Sequence, residues 1–235
     1  MTSGCGQVRL VVFDLDDTLY PELDYVYSGF AAVAAAIKDE LRAEADLAGR
    51  MKAIFESGNR SRVFDALLVE LDRPAETALI RRMVELYRSH RPRISLFGDA
   101  DVALRRLGGR YHLALLSDGY LISQQRKIEA LQLASRMDRI VLTDELGREY
   151  WKPDPRPFAM LESAFGLPGA LCAYVGDNPS KDFVAPNRLG WRTIMVRRPA
   201  ALYAHLPAAE QGQPACQIES LDHLADALAR GGIDP

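Results

Sequence analysis

Leu10-Val11-Val12-Phe13-Asp14-Leu15-Asp16-Asp17-Thr18 is the stretch on which the reading of the whole chain turns. Its first four residues are apolar, with the composition of a short strand buried on both faces. Asp14 and Asp16 follow at spacing i, i+2, which in an extended strand points both carboxylates to one face. Two carboxylates at the mouth of a core strand repel each other and resist desolvation. A chain that keeps them there uses them for a metal, for chemistry, or for both.

Working outward, similar short apolar runs recur at residues 111–116, 139–142, 171–175 and 193–196. Helical patterns lie between them at 100–107, 123–133, 155–165 and 180–189, several stopped by a glycine such as Gly166 or Gly190. Strand–helix alternation of this kind predicts an α/β fold, a doubly wound, Rossmann-like parallel sheet. Residues 21–91 break the alternation with helical periodicity at 31–37, 41–55, 63–71 and 77–87. The expected organisation is a core of residues 1–20 and 92–235 with a helical insertion at 21–91. A polar loop is expected over 206–214 and a terminal amphipathic helix over 218–229.

The chain has 235 residues, 48% hydrophobic and 26% charged, with a formal net charge of −3. That composition fits one soluble unit with an insertion, and it gives no basic surface for nucleic acid. No apolar run approaches the ~18 residues of a membrane span, and the first ten residues carry no signal-peptide pattern. Cys5, Cys172 and Cys216 are too few and too scattered for a disulfide framework or a zinc site. A reducing cytoplasm is therefore the expected location, with a monomer or homodimer as the expected state.

Four strand ends carry polar residues that their apolar runs do not explain: Asp14 and Asp16; Ser117-Asp118-Gly119; Lys152 in Lys152-Pro153-Asp154-Pro155; and Gly176-Asp177 through Lys181-Asp182. In a doubly wound sheet the carboxyl ends of the strands share one edge, where ligands bind. Asp14, Asp16, Asp177 and Asp182 bring four negative charges to that edge against the one of Lys152. An anionic substrate needs a cation there, and ligands that are all oxygen favour a hard ion such as Mg²⁺. The Ser117 hydroxyl and the backbone amides of Asp118 and Gly119 suit phosphate oxygens. Together these groups describe a phosphoryl-transfer site.

The four clusters, in this order and spacing, resemble the motifs of the haloacid dehalogenase superfamily. Asp14-Leu15-Asp16-Asp17-Thr18 resembles the first motif, Ser117 the second, Lys152 the third and Gly176-Asp177 through Asp182 the fourth. The insertion at 21–91 matches the position of that family's helical type 1 cap. The resemblance implies a phosphatase in which Asp14 is the nucleophile and forms an aspartyl-phosphate. It implies that Asp16 protonates the leaving oxygen and later activates water. Mg²⁺ would be held by Asp14, the main-chain carbonyl of Asp16, and Asp177. Asp182 would position Lys152 or a metal-bound water, and Ser117 and Lys152 would bind the phosphoryl oxygens. The family's dehalogenases and phosphonoacetaldehyde hydrolases lack an acid at the position of Asp16, so phosphate-ester chemistry is the implied branch.

The expected substrate is a small phosphorylated metabolite, a sugar phosphate or a nucleoside monophosphate. A phosphomutase shares all four motifs and stands as the alternative, with a catalytically silent binding module as a third reading. In the insertion, Arg60 and Arg62 are candidates for contact with a second anionic group of the substrate, set against a plain solvated loop. Tyr20, Tyr25 and Tyr27 are candidates for stacking on a base or sugar, set against packing between cap and core. Asp118 is expected to contribute its backbone amide and no side-chain chemistry, and residues 88–93 to be a solvated helix end.

Overall fold

The computed structural model describes residues 7–41, 46–203 and 205–229. Six strands form one sheet: β1 (Leu10–Phe13), β2 (His112–Ser117), β3 (Arg139–Leu142), β4 (Cys172–Gly176), β5 (Arg192–Val196) and β6 (Cys216–Ile218). Their order is β3-β2-β1-β4-β5-β6 and every pairing is parallel. The chain winds outward from β1 through β2 to β3, then returns to the other side of β1 with β4. The winding reverses at β1, the position where open α/β sheets bind ligands. Phe13 sits in register with Leu115 of β2 and Val175 of β4, so the residues after all three open onto one edge.

Nine helices are described, in chain order α1 (Glu22–Leu41), α2 (Leu47–Glu56), α3 (Val63–Glu70), α4 (Thr77–Ser89), α5 (Gly98–Leu107), α6 (Leu121–Ala130), α7 (Arg156–Phe165), α8 (Val184–Arg188) and α9 (Leu224–Ala229). The period-2 alternation of the strands divides the sheet core in two. Val11, Phe13, Leu113, Leu115 and Val175 meet α5, α6 and α9 on one face. Leu10, Val12, Ala114, Leu116 and Tyr174 meet α7 and α8 on the other. All four side chains of β1 are fully buried, each contributing about 1.5–3 kcal/mol by its removal from water. Helices α1 to α4 bury their apolar faces mainly against one another, in a separate cluster that includes Phe30, Ile37, Met51, Leu67 and Met83. Among the described residues no helix is long and apolar enough to cross a membrane.

Local differences from the sequence reading have local causes. The expected helix at 180–189 is helical only from Val184, because residues 178–182 form a turn in which the Asn178 N–H donates to the Asp182 carboxylate at 2.9 Å. Residues 216–218 form β6, and the terminal helix begins at Leu224 instead of Ile218. Three residues with Gln217 at the centre are too short and polar to signal a strand; β6 exists because β5 offers it an edge. α1 is far longer than its apolar run, starting where the Asp17 carboxylate accepts the Glu22 N–H at 2.8 Å. Of the expected helix at 41–55, residues 42–45 lie outside the described residues.

Candidate active site

The strand ends bring Asp14, Ser117, Asp118 and Asp177 to the same edge of the sheet, and Lys152 enters from the turn before α7. Asp14 continues β1, its N–H donating to the Val175 carbonyl at 2.8 Å. Lys152 Nζ lies 2.5 Å from Asp14 Oδ1, 2.9 Å from Asp182 Oδ1 and 2.9 Å from the Tyr174 hydroxyl. This lysine is buried; burial alone would lower its pKa, but Asp14 and Asp182 outweigh that and hold it well above the ordinary lysine value. Burial, with Asp182 adding to it against the pull of Lys152, raises Asp14 to about 6.

Asp14, Asp177 and Asp182 each offer a carboxylate oxygen within 4.8 Å of the others, and all three residues are buried. Asp177 Oδ2 is a buried oxygen with no hydrogen-bond partner. Burial, then the charges of Asp182 and Asp14, push Asp177 well above the usual carboxylate range. An orphaned carboxylate oxygen in an all-oxygen cluster is the donor set of a hard divalent cation. The residues present therefore fit Mg²⁺.

Asp16 turns toward a different set of partners. Lys127 Nζ donates to its two oxygens at 2.7 and 3.0 Å, Gln124 Nε2 donates at 3.2 Å, and the Tyr20 hydroxyl donates to Oδ1. Burial would raise the Asp16 pKa, but the Lys127 charge and these hydrogen bonds hold it below the usual value. Its main-chain carbonyl accepts one hydrogen bond, from the Thr18 N–H at 2.7 Å, leaving a second lone pair. Lys127, Gln124, Tyr174 and Lys181 were not singled out in the sequence. Gln124 and Lys127 are three apart on α6, so they share a helix face, but that spacing alone carries no sign that the face meets Asp16.

Ser117 is buried, and its hydroxyl accepts from Gln124 Nε2 at 2.6 Å. The Asp118 side chain is not idle. Its carboxylate accepts from Thr143 Oγ1 at 2.9 Å, the Lys152 N–H at 3.2 Å and Lys181 Nζ at 3.2 Å, and so ties the ends of β2 and β3 to both lysines. Gly119 has φ +127°, and a Cβ there would lie 3.2 Å from Gln124 Cδ. The turn that exposes the backbone amides needs glycine on both counts.

A cavity of about 630 Å³ rises from this floor, with the helical insertion as its far wall. Asp14, Asp16, Asp118, Gly119, Lys152 and Asp177 front it from the core. Glu22 enters from α1, and burial followed by repulsion from Asp16 raises it to about 8. Of the candidates in the insertion, Arg60 fronts the cavity, whereas Arg62 is exposed and paired with Asp65 at 2.8 Å. Tyr20 is fully buried and spends its hydroxyl on Asp16. Tyr25 fronts the cavity, and Tyr27 donates to Glu56 at 2.8 Å. Arg88 is not a solvated helix end: its guanidinium lies 3.4 Å from the centroid of Tyr120, joining α4 to the loop after β2.

A sheet that reverses at β1, with an aspartate at its mouth, a buried lysine beside it and an acidic cluster fit for a cation, defines a hydrolase of the phosphoryl-transfer type in fold and site. The chain belongs to the haloacid dehalogenase-like hydrolase family, whose model matches residues 8–190. It is 27% identical over 201 residues to the glyceraldehyde 3-phosphate phosphatase of Methanopyrus kandleri, covering 81% of this chain and 84% of that one. It is 36% identical over 142 residues to the phosphoserine phosphatase of Thermus thermophilus, covering 59% of this chain and 55% of that one. The fold is shared with the HAD-hydrolase YfnB of Bacillus subtilis, bound to magnesium, at a TM-score of 0.69 and 17% identity, over 96% of this chain and all of that one.

Proposed function

We infer that this hydrolase is a Mg²⁺-dependent phosphomonoesterase that works through an aspartyl-phosphate on Asp14. The observation that carries the reading is the pairing of Asp14 with Lys152 beside the partnerless oxygen of Asp177. A nucleophile, a fixed cation for phosphoryl oxygens and a vacant donor for a metal meet there. The relatives named for glyceraldehyde 3-phosphate and phosphoserine support a small phosphorylated metabolite as substrate, and within that class our reading is a sugar phosphate or a nucleoside monophosphate. Residues 21–91 act as a cap over the core of 1–20 and 92–235, and a cytoplasmic monomer or homodimer is the working form.

Asp14, the main-chain carbonyl of Asp16, and Asp177 would hold the ion, with Asp182 close enough to join them. When bound, Mg²⁺ neutralises phosphoryl charge and so lets an anionic nucleophile approach an anionic ester. Lys152 and the loop at 117–119 orient the phosphoryl oxygens. Asp14 attacks phosphorus, the ester P–O bond breaks, and Asp16 gives its proton to the departing oxygen. Asp16 then takes a proton from water as that water attacks the phosphorus of the aspartyl-phosphate, releasing phosphate and restoring Asp14. In the resting arrangement Lys127, Gln124 and Tyr20 keep Asp16 ionised. For the first turnover it therefore takes a proton from solvent and loosens at least one of these bonds, and later turnovers use the proton it takes from the attacking water. Ser117 is a phosphate ligand through its hydroxyl proton, which the bond accepted from Gln124 does not use.

Phosphate release from a panel of phosphorylated metabolites, with Mg²⁺ and with chelator, tests this reading. Acid-quenched protein should carry hydroxylamine-labile phosphate on Asp14. Turnover that survives chelation, or isomer formation without phosphate release, would overturn it.

A further inference from the structure

The insertion presents the cavity with a wall of aromatic rings. Tyr25 of α1 meets Tyr87 of α4 at 5.5 Å between centroids, and Tyr87 meets Phe30 at 5.9 Å and Phe64 at 6.0 Å. Phe30 in turn meets Phe55 of α2 at 6.0 Å. All five rings front the cavity, and Val26, Val63 and Val84 fill in between them. A cation stands at each end of the array: Lys127 lies 4.3 Å from the centroid of Tyr25 above the catalytic floor, and Arg60 lies 5.4 Å from that of Phe55. Phe30, Phe55, Phe64 and Tyr87 also pack the interior of the insertion, and Tyr25 packs into the sheet's cluster. That role accounts for their apolarity, but not for the opening of the active-site cavity onto them.

The floor and the wall make opposite demands on a ligand. Charged and amide groups crowd the floor around Asp14, where the phosphoryl group belongs. Beyond it, hydroxyls of a triose or hexose set against the rings and valines would give up hydrogen bonds to water, although Glu22, Ser61, Arg88 and Ser123 also front the cavity. A flat apolar body would instead remove its own surface from water against rings that are already largely buried, and meet them in aromatic contact. The Arg60 guanidinium at the far end suits the face of a planar group.

We propose that the substrate is a phosphomonoester whose leaving group carries an aromatic ring or a flat apolar body of similar size, seated on the wall formed by Tyr25, Tyr87, Phe30, Phe64 and Phe55. The proposal rests on the phosphatase reading and selects the aromatic-bearing class within it, against plain sugar phosphates. Transfer follows the steps already given, and the wall acts by holding the leaving group.

The test compares the protein's own turnover of 3-phenylpropyl phosphate, n-propyl phosphate and glycerol 3-phosphate in Mg²⁺. All three are primary alkyl esters, so leaving-group chemistry varies little. The phenyl ester should exceed both others in kcat/KM by at least about tenfold. Equal values, or a preference for glycerol 3-phosphate, would overturn the proposal and leave the phosphatase reading intact. If no ester is hydrolysed the phosphatase reading fails, and calorimetry with 3-phenylpropylphosphonate against n-propylphosphonate decides the wall separately. Binding at least about tenfold tighter for the phenyl compound supports it, and equal binding sinks it. Val84→Asn, which sets an amide into the wall, should cut the phenyl-to-propyl ratio at least about threefold; an unchanged ratio counts against the proposal.

Discussion

Lys127 grips Asp16 through both carboxylate oxygens, at 2.7 and 3.0 Å, from within a helix that the two residues' 111-position separation gives no reason to expect nearby. Lys127 is buried and Asp16 half-buried, and Tyr20 and Gln124 complete the shell around the pair. Removing one partner of such a pair strands the other without compensation. Lys127→Met should therefore lower unfolding stability by about 3 kcal/mol, more than loss of a surface lysine could. Adding Asp16→Asn should recover a large part of that loss, and denaturant titration of the single and double variants reads the coupling directly. Strictly additive losses would show that the pair is not energetically linked.

Asp14→Asn keeps the shape of the nucleophile and removes its charge. Hydrolysis of an aryl phosphate should fall by at least about 10³-fold, while the variant still binds the ester. Phosphate release at near the original rate would show that another group attacks.

Asp14, near 6, and Glu22, near 8, hold protons in the folded protein at pH values where the unfolded chain has lost them, and Asp177 is shifted the same way. Their contribution to stability is complete at low pH and lost as pH rises through those folded values. Groups shifted downward, such as Asp16 and Asp118, act only below about 3.8 and do not oppose this trend. Without metal, Tm should fall between about pH 5 and about pH 8. Mg²⁺ replaces the lost protons, so the Tm gain on adding it should widen across the same interval. A gain that narrows with rising pH would contradict the assignment of Asp14 and Asp177 to the metal.

The Arg88–Tyr120 stack spans the insertion and the core at the rim of the cavity. Tyr120 is 36% exposed, which limits such a contact to about 0.5–1 kcal/mol. Tyr120→Ser should leave Tm nearly unchanged and raise KM by roughly two- to fivefold, the equivalent of that energy, as the insertion closes less firmly. Steady-state kinetics measures it, and an unaltered KM would show that the stack has no part in closure.

Gly119→Ala forces a side chain into φ +127° and against Gln124. A cost of about 1–3 kcal/mol should appear as weaker competitive inhibition by inorganic phosphate, because the strained turn is the one that presents backbone amides. Inhibition as strong as in the parent protein would separate the turn from phosphate binding.

The strand ends were legible because a parallel sheet turns sequence into geometry: any polar residue after an apolar run arrives at one edge. Lys152 lies beyond two turns after β3 and is placed by its motif, whereas Asp14, Ser117 and Asp177 could be brought together from their strand-end positions alone. Lys127 and Gln124 could not. Their nearness to Asp16 depends on the rotation of α6 about its axis, and helical periodicity fixes which residues share a face but not what that face meets. Tyr174 was hidden by its strand, where a tyrosine reads as core until its hydroxyl is seen at Lys152. The insertion was the least legible part. Arg60 and Arg62 sit in one loop with the same chemistry, and only the fold separates the one that fronts the cavity from the one that pairs with Asp65.

The apolar cluster of the insertion and the two clusters of the sheet share a single residue among those described, Tyr87, which packs against the insertion's interior and against one face of the sheet. On the proposed assignment, chemistry sits at the sheet and choice of substrate in the insertion, and the insertion reaches the sheet's cluster through Tyr25 and Tyr87. A lineage could exchange one apolar side chain for another at Phe30, Phe55 and Phe64 and reshape that wall without disturbing the strands that aim Asp14. Tyr25 and Tyr87 are the positions at which such drift would be arrested.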